Sequence, residues 1–426
     1  MSRRTGLRIL CVSVGAASTE ETRAEHARLL GALAGAECGT MSTVAVGCEA
    51  DVEQAVAQAA RTQADVLALV ALCGRTAPLQ VAVVQSVALP AAVWAVGRDY
   101  AFPSSALATG ALRDEGRPVA LFHAAVDDAD TMAGFTAALR AGAAATRLRR
   151  ARIGVIGGLF PNLVSCRYQP AVVTERLGAE LVPIPYDRLR QEMQEAARQR
   201  AAVDRLLEHC GRYEVHVPPE ALVPGLHLHL ALKSLAAQLG LEAFAVECWS
   251  GLPGAVGLNP CLGFVEDAYT LACEGDVLLA LLLLMVRYTT GVPAHAGDVR
   301  HLDGDGVLTM CHCSGPATAA SHVILDLSAA AQAAGFRTVT CRPRVDPGPV
   351  TMARLYGDRC DRMHVACGDL LACDRSADLT LSVRLRGPRA DFVRACLGNH
   401  YAVVPGDIRQ ELAFLGECLG ITVACT

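Results

Sequence analysis

Asp276 stands directly before an unbroken run of ten apolar residues, Val277 to Val286, and no other stretch constrains the fold as tightly. A helix needs about 20 apolar residues to cross a bilayer, so this run must be a helix inside a globular core. Asp is a preferred N-cap and Glu suits a helix N-terminus. The segment Ala272-Cys273-Glu274-Gly275-Asp276 therefore reads as a strand end and tight turn opening that helix. Two carboxylates one residue apart then sit at the mouth of a buried element, where charge is costly unless it is paired or bound to a cation. Near the other end of the chain, Gly398-Asn399-His400-Tyr401 offers an imidazole in a loop-like setting. Carboxylates with one histidine make a hard, oxygen-rich site of the kind that suits Mn²⁺ or Mg²⁺.

The rest of the chain predicts an α/β protein. Residues 7–14, 42–47, 65–72 and 91–96 are short apolar or β-branched runs, and they alternate with Ala-rich stretches such as 20–35 and 51–62. That is the pattern of βαβ units and a parallel sheet. A further run after Gly116-Arg117-Pro118 and a helix over 128–148 complete a first domain, 1–150. A strand at Arg152-Ile-Gly-Val-Ile-Gly-Gly158 opens a second α/β domain, 151–295. It continues with a helix over 169–177, a strand over 180–185, a long charged helix over about 187–208, a helix over 222–239 and the strand ending in Glu247. Gly154, Gly157 and Gly158 do not meet the G-x-G-x-x-G spacing of a dinucleotide site. From 296 the pattern becomes β-rich, with strands at 307–313, 336–341, 350–356, 362–366 and 379–385, then a helix over 408–419 and a last strand, 421–424. Short Gly, Pro and Asp connections there suggest a mostly antiparallel barrel. The expected architecture is two Rossmann-like α/β domains followed by a barrel-like C-terminal domain, 296–426.

Length and composition narrow the function classes. A chain of 426 residues predicts two or three domains. The net charge of −5 gives no electrostatic case for nucleic acid or an anionic membrane. Arg147, Arg149, Arg150 and Arg152 cluster, but so short a run reads as a solvated helix end. The 18 cysteines have no repeated spacing and lie largely in apolar runs, as free buried thiols do. With no signal-peptide pattern at the start, they indicate a reducing, cytoplasmic setting. Cys311-His312-Cys313 is the one tight Cys/His cluster, and it lacks the spacing that structural zinc prefers.

Several motifs, in order and spacing, resemble the L-fucose isomerase and L-arabinose isomerase superfamily, most closely its shorter "L-fucose isomerase-like" members. They are Ala245-Val-Glu-Cys-Trp249, Ala272-Cys-Glu-Gly-Asp276, Thr290-Gly-Val-Pro293, Cys311-His-Cys313 and Gly398-Asn-His-Tyr-Ala402, with Pro405-Gly-Asp407 and Glu411-Leu412 near the end. The resemblance implies α/β layers followed by a β-rich domain. It also implies a metal-dependent aldose–ketose isomerase that works through a cis-enediol, with two acidic residues and a histidine around Mn²⁺, or another divalent cation such as Mg²⁺ or Co²⁺. A homo-oligomer, trimeric or hexameric, is implied as well, with a small sugar as substrate.

By this resemblance Glu274 or Asp276 supplies one acidic ligand and His400 the imidazole. The second acid should lie upstream of Glu274, yet residues 250–263 contain none. Glu247, at a strand C-terminal end where α/β sheets collect ligands, competes for that place with Glu266 and Asp267 in what reads as a following helix. Trp249, one of two tryptophans, is a candidate to stack on a sugar face. His312 matches the family's His-Cys dipeptide and is a candidate to touch substrate, as are Asn399 in the turn before His400 and Phe160, Asn162 and Arg167 in the loop after 158. Arg75, Arg98 and Tyr100 are candidates for the distal end of the substrate. His227 and His229 read as surface residues, and Asp298 and Asp407, each after a glycine, as caps or turn residues. The missing acid leaves an alternative, a protein of the same fold with altered sugar chemistry or a non-catalytic, sugar-binding role. A transport-type binding protein would share the paired α/β lobes but needs neither the β-rich third domain nor a metal.

Overall fold

A computed structural model describes residues 6–35, 39–97, 99–333 and 335–426. The chain divides into two compact units: Met1–Arg149 with Tyr288–Thr290 and Gln410–Gly420, and Arg150–Arg287 with Gly291–Arg409 and Ile421–Thr426. Both units mix helix and sheet.

In the first unit β1 (Arg8–Val14), α1 (Glu20–Gly35), β2 (Thr40–Val46), α2 (Val52–Thr62), β3 (Val66–Ala71), α3 (Ala77–Val87), β4 (Ala91–Ala95), α4 (Ala101–Asp114), β5 (Val119–Phe122) and α5 (Ala129–Leu148) follow in strict alternation. The five strands pair in parallel in the order β2-β1-β3-β4-β5. β3 and β4 are buried along their whole length, as parallel strands covered on both faces are. Asp65, just before β3, is fully buried and lies 2.8 Å from Arg8 Nη2 and 3.1 Å from Arg147 Nη2. Two guanidiniums on one carboxylate offset the cost of its desolvation. Of the arginine cluster, Arg147 is half-buried on Asp65, while Arg149 and Arg150 are exposed as a solvated helix end should be; Arg149 Nη2 donates to Cys418 O at 2.7 Å, and Arg152 makes an exposed pair with Glu180 at 2.8 Å.

The second unit begins with β6 (Arg152–Ile156), α6 (Pro170–Leu177), β7 (Glu180–Ile184), α7 (Tyr186–Arg198), α8 (Arg200–Cys210), β8 (Glu214–Val215), α9 (Pro219–Leu239), β9 (Ala243–Val246), α10 (Gly251–Val256), β10 (Thr270–Ala272) and α11 (Val277–Thr290). β10-β9-β6-β7 form a parallel sheet. Leu228, Leu232 and Leu235 of α9 pack on Ile156, Phe244 and Val246 of that sheet. The apolar run of α11 is a core helix, as its length requires, with none of Val277 to Val286 more than 4 % exposed.

The chain continues through β11 (His295–Leu302), β12 (Val307–His312), β13 (Val323–Leu327), α12 (Ala329–Ala333), β14 (Val339–Pro343), β15 (Gly348–Tyr356), β16 (Arg362–Asp374), β17 (Leu379–Leu385), α13 (Arg389–Ala395), β18 (His400–Pro405), α14 (Arg409–Leu419) and β19 (Thr422–Cys425). Six antiparallel strands run in the order β15-β18-β11-β12-β17-β16, and β15 pairs with β16 to close them into a barrel. Leu308, Met310, Met352, Leu381, Val383, Tyr401 and Val403 fill its core. β13, β14 and β8 form a small separate sheet, and β19 adds to β16 in parallel. The mixed α/β class and the barrel-like C-terminal region agree with the sequence reading.

Several local expectations do not hold. The charged helix over 187–208 is two helices, broken at Gln199, whose ψ of 58° leaves the helical region. His400 opens a strand rather than sitting in a loop, and Asp298 lies inside β11 rather than capping a turn. Glu266 and Asp267 follow a short 3₁₀ turn and are not helical. His229 is fully buried, with Nδ1 2.8 Å from Tyr269 Oη and Nε2 3.1 Å from Glu266. It sits on the inward stripe of α9, three residues before the core residue Leu232, a phase that a helix read from 222 does not reveal.

The hydrogen bond from His229, together with Lys233 at 2.7 Å, pulls the Glu266 carboxyl down to about 2. A carboxyl lowered on folding stabilises above its unfolded pKa, and that contribution is lost as pH falls through the folded value. Denaturant unfolding of wild type and Glu266→Gln should therefore differ by a constant amount above about pH 5, and the difference should shrink toward pH 2. A difference independent of pH would show that the pair contributes nothing through charge.

Candidate functional site

The site is assembled at the carboxyl ends of adjacent strands. β9 pairs with β10 in the register Ala245↔Ala272 and with β6 in the register Val246↔Ile156. Glu247 and Glu274, each two residues beyond the paired alanines, therefore leave the sheet side by side, where open α/β sheets place ligands. The backbone locks the turn that follows β10. Gly275 N donates to Val246 O at 2.9 Å, Phe160 N to Glu274 O at 2.9 Å, and Glu274 N to Cys248 Sγ at 3.3 Å. Glu274 itself has φ +59°, a conformation few residues with a Cβ adopt. Gly275 follows at φ +70°, where a Cβ would fall on Gly158 O. Asp276 then caps α11, with Oδ1 accepting from Leu279 N at 2.9 Å.

The other oxygen of Asp276 is the centre of a buried charge cluster. Oδ2 lies 2.8 Å from Arg354 Nη1 and accepts from His400 Nδ1 at 2.9 Å. Arg354 also donates to His400 O at 3.1 Å and to Cys166 Sγ at 2.9 Å. None of Asp276, Arg354, Cys166 or His400 is more than 1 % exposed. Burial alone would raise the Asp276 pKa, but Arg354 and His400 outweigh it and hold the carboxyl far below the usual range. Burial likewise opposes the imidazolium of His400, and the carboxylates of Asp276 and Asp298 beside it raise its pKa well above the ordinary value. The side chains that form this ion cluster come from the turn before α11, the 164–168 segment, β15 and β18.

With Nδ1 held by Asp276, His400 presents Nε2 to two further carboxylates. Nε2 is buried and lies 3.0 Å from Asp298 Oδ1, with which it forms an ion pair when protonated, and 3.7 Å from Glu274 Oε2. Asp298 faces His400 directly across the β11–β18 pairing, and Asn399 Nδ2 steadies it at 2.8 Å. Burial, with Asp298 and Asp276 nearby, pushes the Glu274 carboxyl up against the pull of His400. One donor atom each from Glu274, Asp298 and His400 lies within 4.8 Å of the others. Two carboxylates and an imidazole whose second nitrogen is bound to a carboxylate make a donor set for a hard or borderline divalent cation. A second group, Cys166, Asp276 and His400, is equally close, but the guanidinium of Arg354 already supplies its cation.

The structure thus brings Glu274 and His400 together and sets Asp276 behind His400, while Asp298 stands beside Glu274. Glu247 is adjacent but engaged: its carboxylate accepts from the backbone N–H groups of Trp249 (3.1 Å), Ser250 (3.0 Å) and Gly251, and from Ser250 Oγ. Glu266 and Asp267 face other partners, Asp267 lying 2.7 Å from Arg287. Trp249 is 41 % exposed and meets Phe160 edge-on at 6.2 Å. His312 is buried, with Nδ1 2.9 Å from Ser314 O. Asn162 and Arg167 are exposed in the loop after β6. Arg75 and the exposed Tyr100 belong to the first unit, and Arg98 lies outside the described residues.

Asp298, Arg354 and Cys166 were not anticipated as site residues. An arginine inside the apolar strand Val350-Thr-Met-Ala-Arg354-Leu-Tyr356 is a legible signal, since a buried guanidinium demands a partner. Asp298 becomes legible only through the strand register, and Cys166 carries no local signal. Replacing Arg354 by Met should leave Asp276 buried without its principal cation and cost about 3–5 kcal/mol. Urea unfolding measures this, and a loss of only about 0.5 kcal/mol, as at an ordinary surface site, would contradict it. In comparisons with known proteins, the chain matches no family model and no curated protein.

Proposed function

We propose that the protein is a divalent-metal-dependent aldose–ketose isomerase, acting on a free or modified sugar through a cis-enediol intermediate. The observation that carries this reading is the convergence of Glu274, Asp298 and the buried Nε2 of His400, which lies 3.0 Å from Asp298 and 3.7 Å from Glu274. Those three would hold Mn²⁺, or Mg²⁺ or Co²⁺ in its place, with Asp276 orienting His400 from behind. A bound cation would supply Lewis-acid polarisation of the sugar's carbonyl and neighbouring hydroxyl. Glu274, whose carboxylate makes no hydrogen bond among the described residues, takes the proton from C2 and returns it to C1, while the O2 hydroxyl proton passes to O1, so that the C1 carbonyl becomes a hydroxyl and the C2 hydroxyl a carbonyl. Trp249 and Phe160, at the ends of adjacent strands, offer an aromatic surface for the sugar's C–H face. The resemblance of its motifs, in order and spacing, to those of the fucose and arabinose isomerases supports the same chemistry.

One observation favours a second reading. Glu247, the nearest further carboxylate, has its oxygens taken by its own turn, so no acid beyond the two that would hold the metal is free to act as a separate base. A protein of this fold that binds a sugar or alters it by different enediol chemistry would have such a site.

Deuterium wash-in at C2 of a panel of aldopentoses, aldohexoses and their phosphorylated or sulfonated forms, followed by NMR, separates the two. The isomerase reading predicts exchange on at least one sugar that requires Mn²⁺, stops with chelator, and falls by roughly 10²–10⁴-fold in Glu274→Gln. Absence of exchange on every sugar, with metal bound, would favour the second reading.

A further inference from the structure

Cys166 has no place in the proton-transfer chemistry, yet it is fully buried and its sulfur is held within 2.9 Å of a guanidinium. Its neighbours explain why the contact matters. Arg354 bridges Asp276 Oδ2, the backbone carbonyl of His400 and Cys166 Sγ, while its Nε, also buried, has no partner among the described residues. The sulfur is therefore one of three acceptors fixing this side chain among the described residues. The segment that carries Cys166 is itself clamped. Cys166 N donates to Leu163 O at 3.0 Å, and Gly398 lies so close that a Cβ there would meet Ser165 Oγ at 2.7 Å and Arg354 Nε at 3.5 Å.

We propose that Cys166 is a positioning residue for the metal site. Its sulfur holds the guanidinium of Arg354 in the one orientation that grips Asp276 and the His400 carbonyl together, and so keeps Nδ1 of His400 on Asp276 and Nε2 toward Glu274 and Asp298. Removing the acceptor frees one arm of the guanidinium. Arg354 then turns toward whichever acceptors remain, and the Asp276–His400 hydrogen bond loses its brace. Outer-shell contacts of this kind typically alter metal affinity by 10–100-fold without touching the metal. The role is one of geometry, so a hydroxyl of similar size at the same position retains most of it.

The inference rests on the metal reading above, and the test keeps the two apart by using two readouts. Cys166→Ala and Cys166→Val lack the acceptor, the latter at nearly the original volume, and whichever folds serves as the acceptor-free protein. Cys166→Ser keeps an acceptor. In the metal-free proteins, ¹⁵N NMR of the imidazole of His400 reports the hydrogen bond at Nδ1 directly. It should be perturbed in the acceptor-free variant and close to wild type in Cys166→Ser. Mn²⁺ titration followed by electron paramagnetic resonance should show affinity about 10–100-fold weaker in the acceptor-free variant and largely restored by Ser. Wild-type imidazole shifts and wild-type Mn²⁺ affinity in the acceptor-free variant would overturn the proposal. The same holds if Ser is as impaired as the acceptor-free variant, since the acceptor that Ser keeps would then contribute nothing. If wild type binds no Mn²⁺, the metal reading fails, and the imidazole shifts alone decide whether Cys166 positions His400.

Discussion

The buried carboxylate of Asp276 is the interaction on which the second unit's site depends. It caps the apolar helix α11 through one oxygen and receives a guanidinium and an imidazole through the other. A fully buried carboxylate is tolerable only with such partners, so the requirement to satisfy it draws Arg354 of β15 and His400 of β18 to the carboxyl end of the parallel sheet. Helix capping, charge pairing and orientation of the histidine are three consequences of one side chain.

That arrangement divides labour between neighbouring acids. Asp276 is inaccessible to a ligand because its oxygens are already bound. Glu274, two residues earlier, carries the left-handed backbone that a turn between strand and helix imposes, and two backbone–backbone hydrogen bonds and one to the Cys248 sulfur maintain it. The strain directs its carboxylate toward Asp298 and His400 instead of into the helix cap. Strained backbone held by its surroundings is characteristic of functional positions, and Gly275 makes the turn feasible by having no Cβ to strike Gly158.

Much of this organisation was legible in the residues. The alternation of short apolar runs with Ala-rich stretches indicated parallel sheets, and the apolar run after Asp276 indicated a capped core helix. Both follow from local periodicity and capping chemistry. The placement of Glu274 near His400 was reached through motif resemblance, since 126 residues of chain separate them and no local rule joins them. What stayed hidden depends on tertiary register. Asp298 after Gly297 looks like a turn until β11 is seen to pair with β18, which sets it opposite His400. His229 looks exposed until the phase of α9 is known, and the break at Gln199 has no Gly or Pro to announce it. Cys166 is distinguished only by what surrounds it.

Anomalous X-ray scattering from a crystal of the protein soaked in Mn²⁺ would locate the cation. One strong peak is expected within bonding distance of Glu274, Asp298 and Nε2 of His400, with Arg354 still seated on Asp276. A peak at Cys166 and Asp276 with Arg354 displaced, or none near His400 at saturating Mn²⁺, would contradict this metal site.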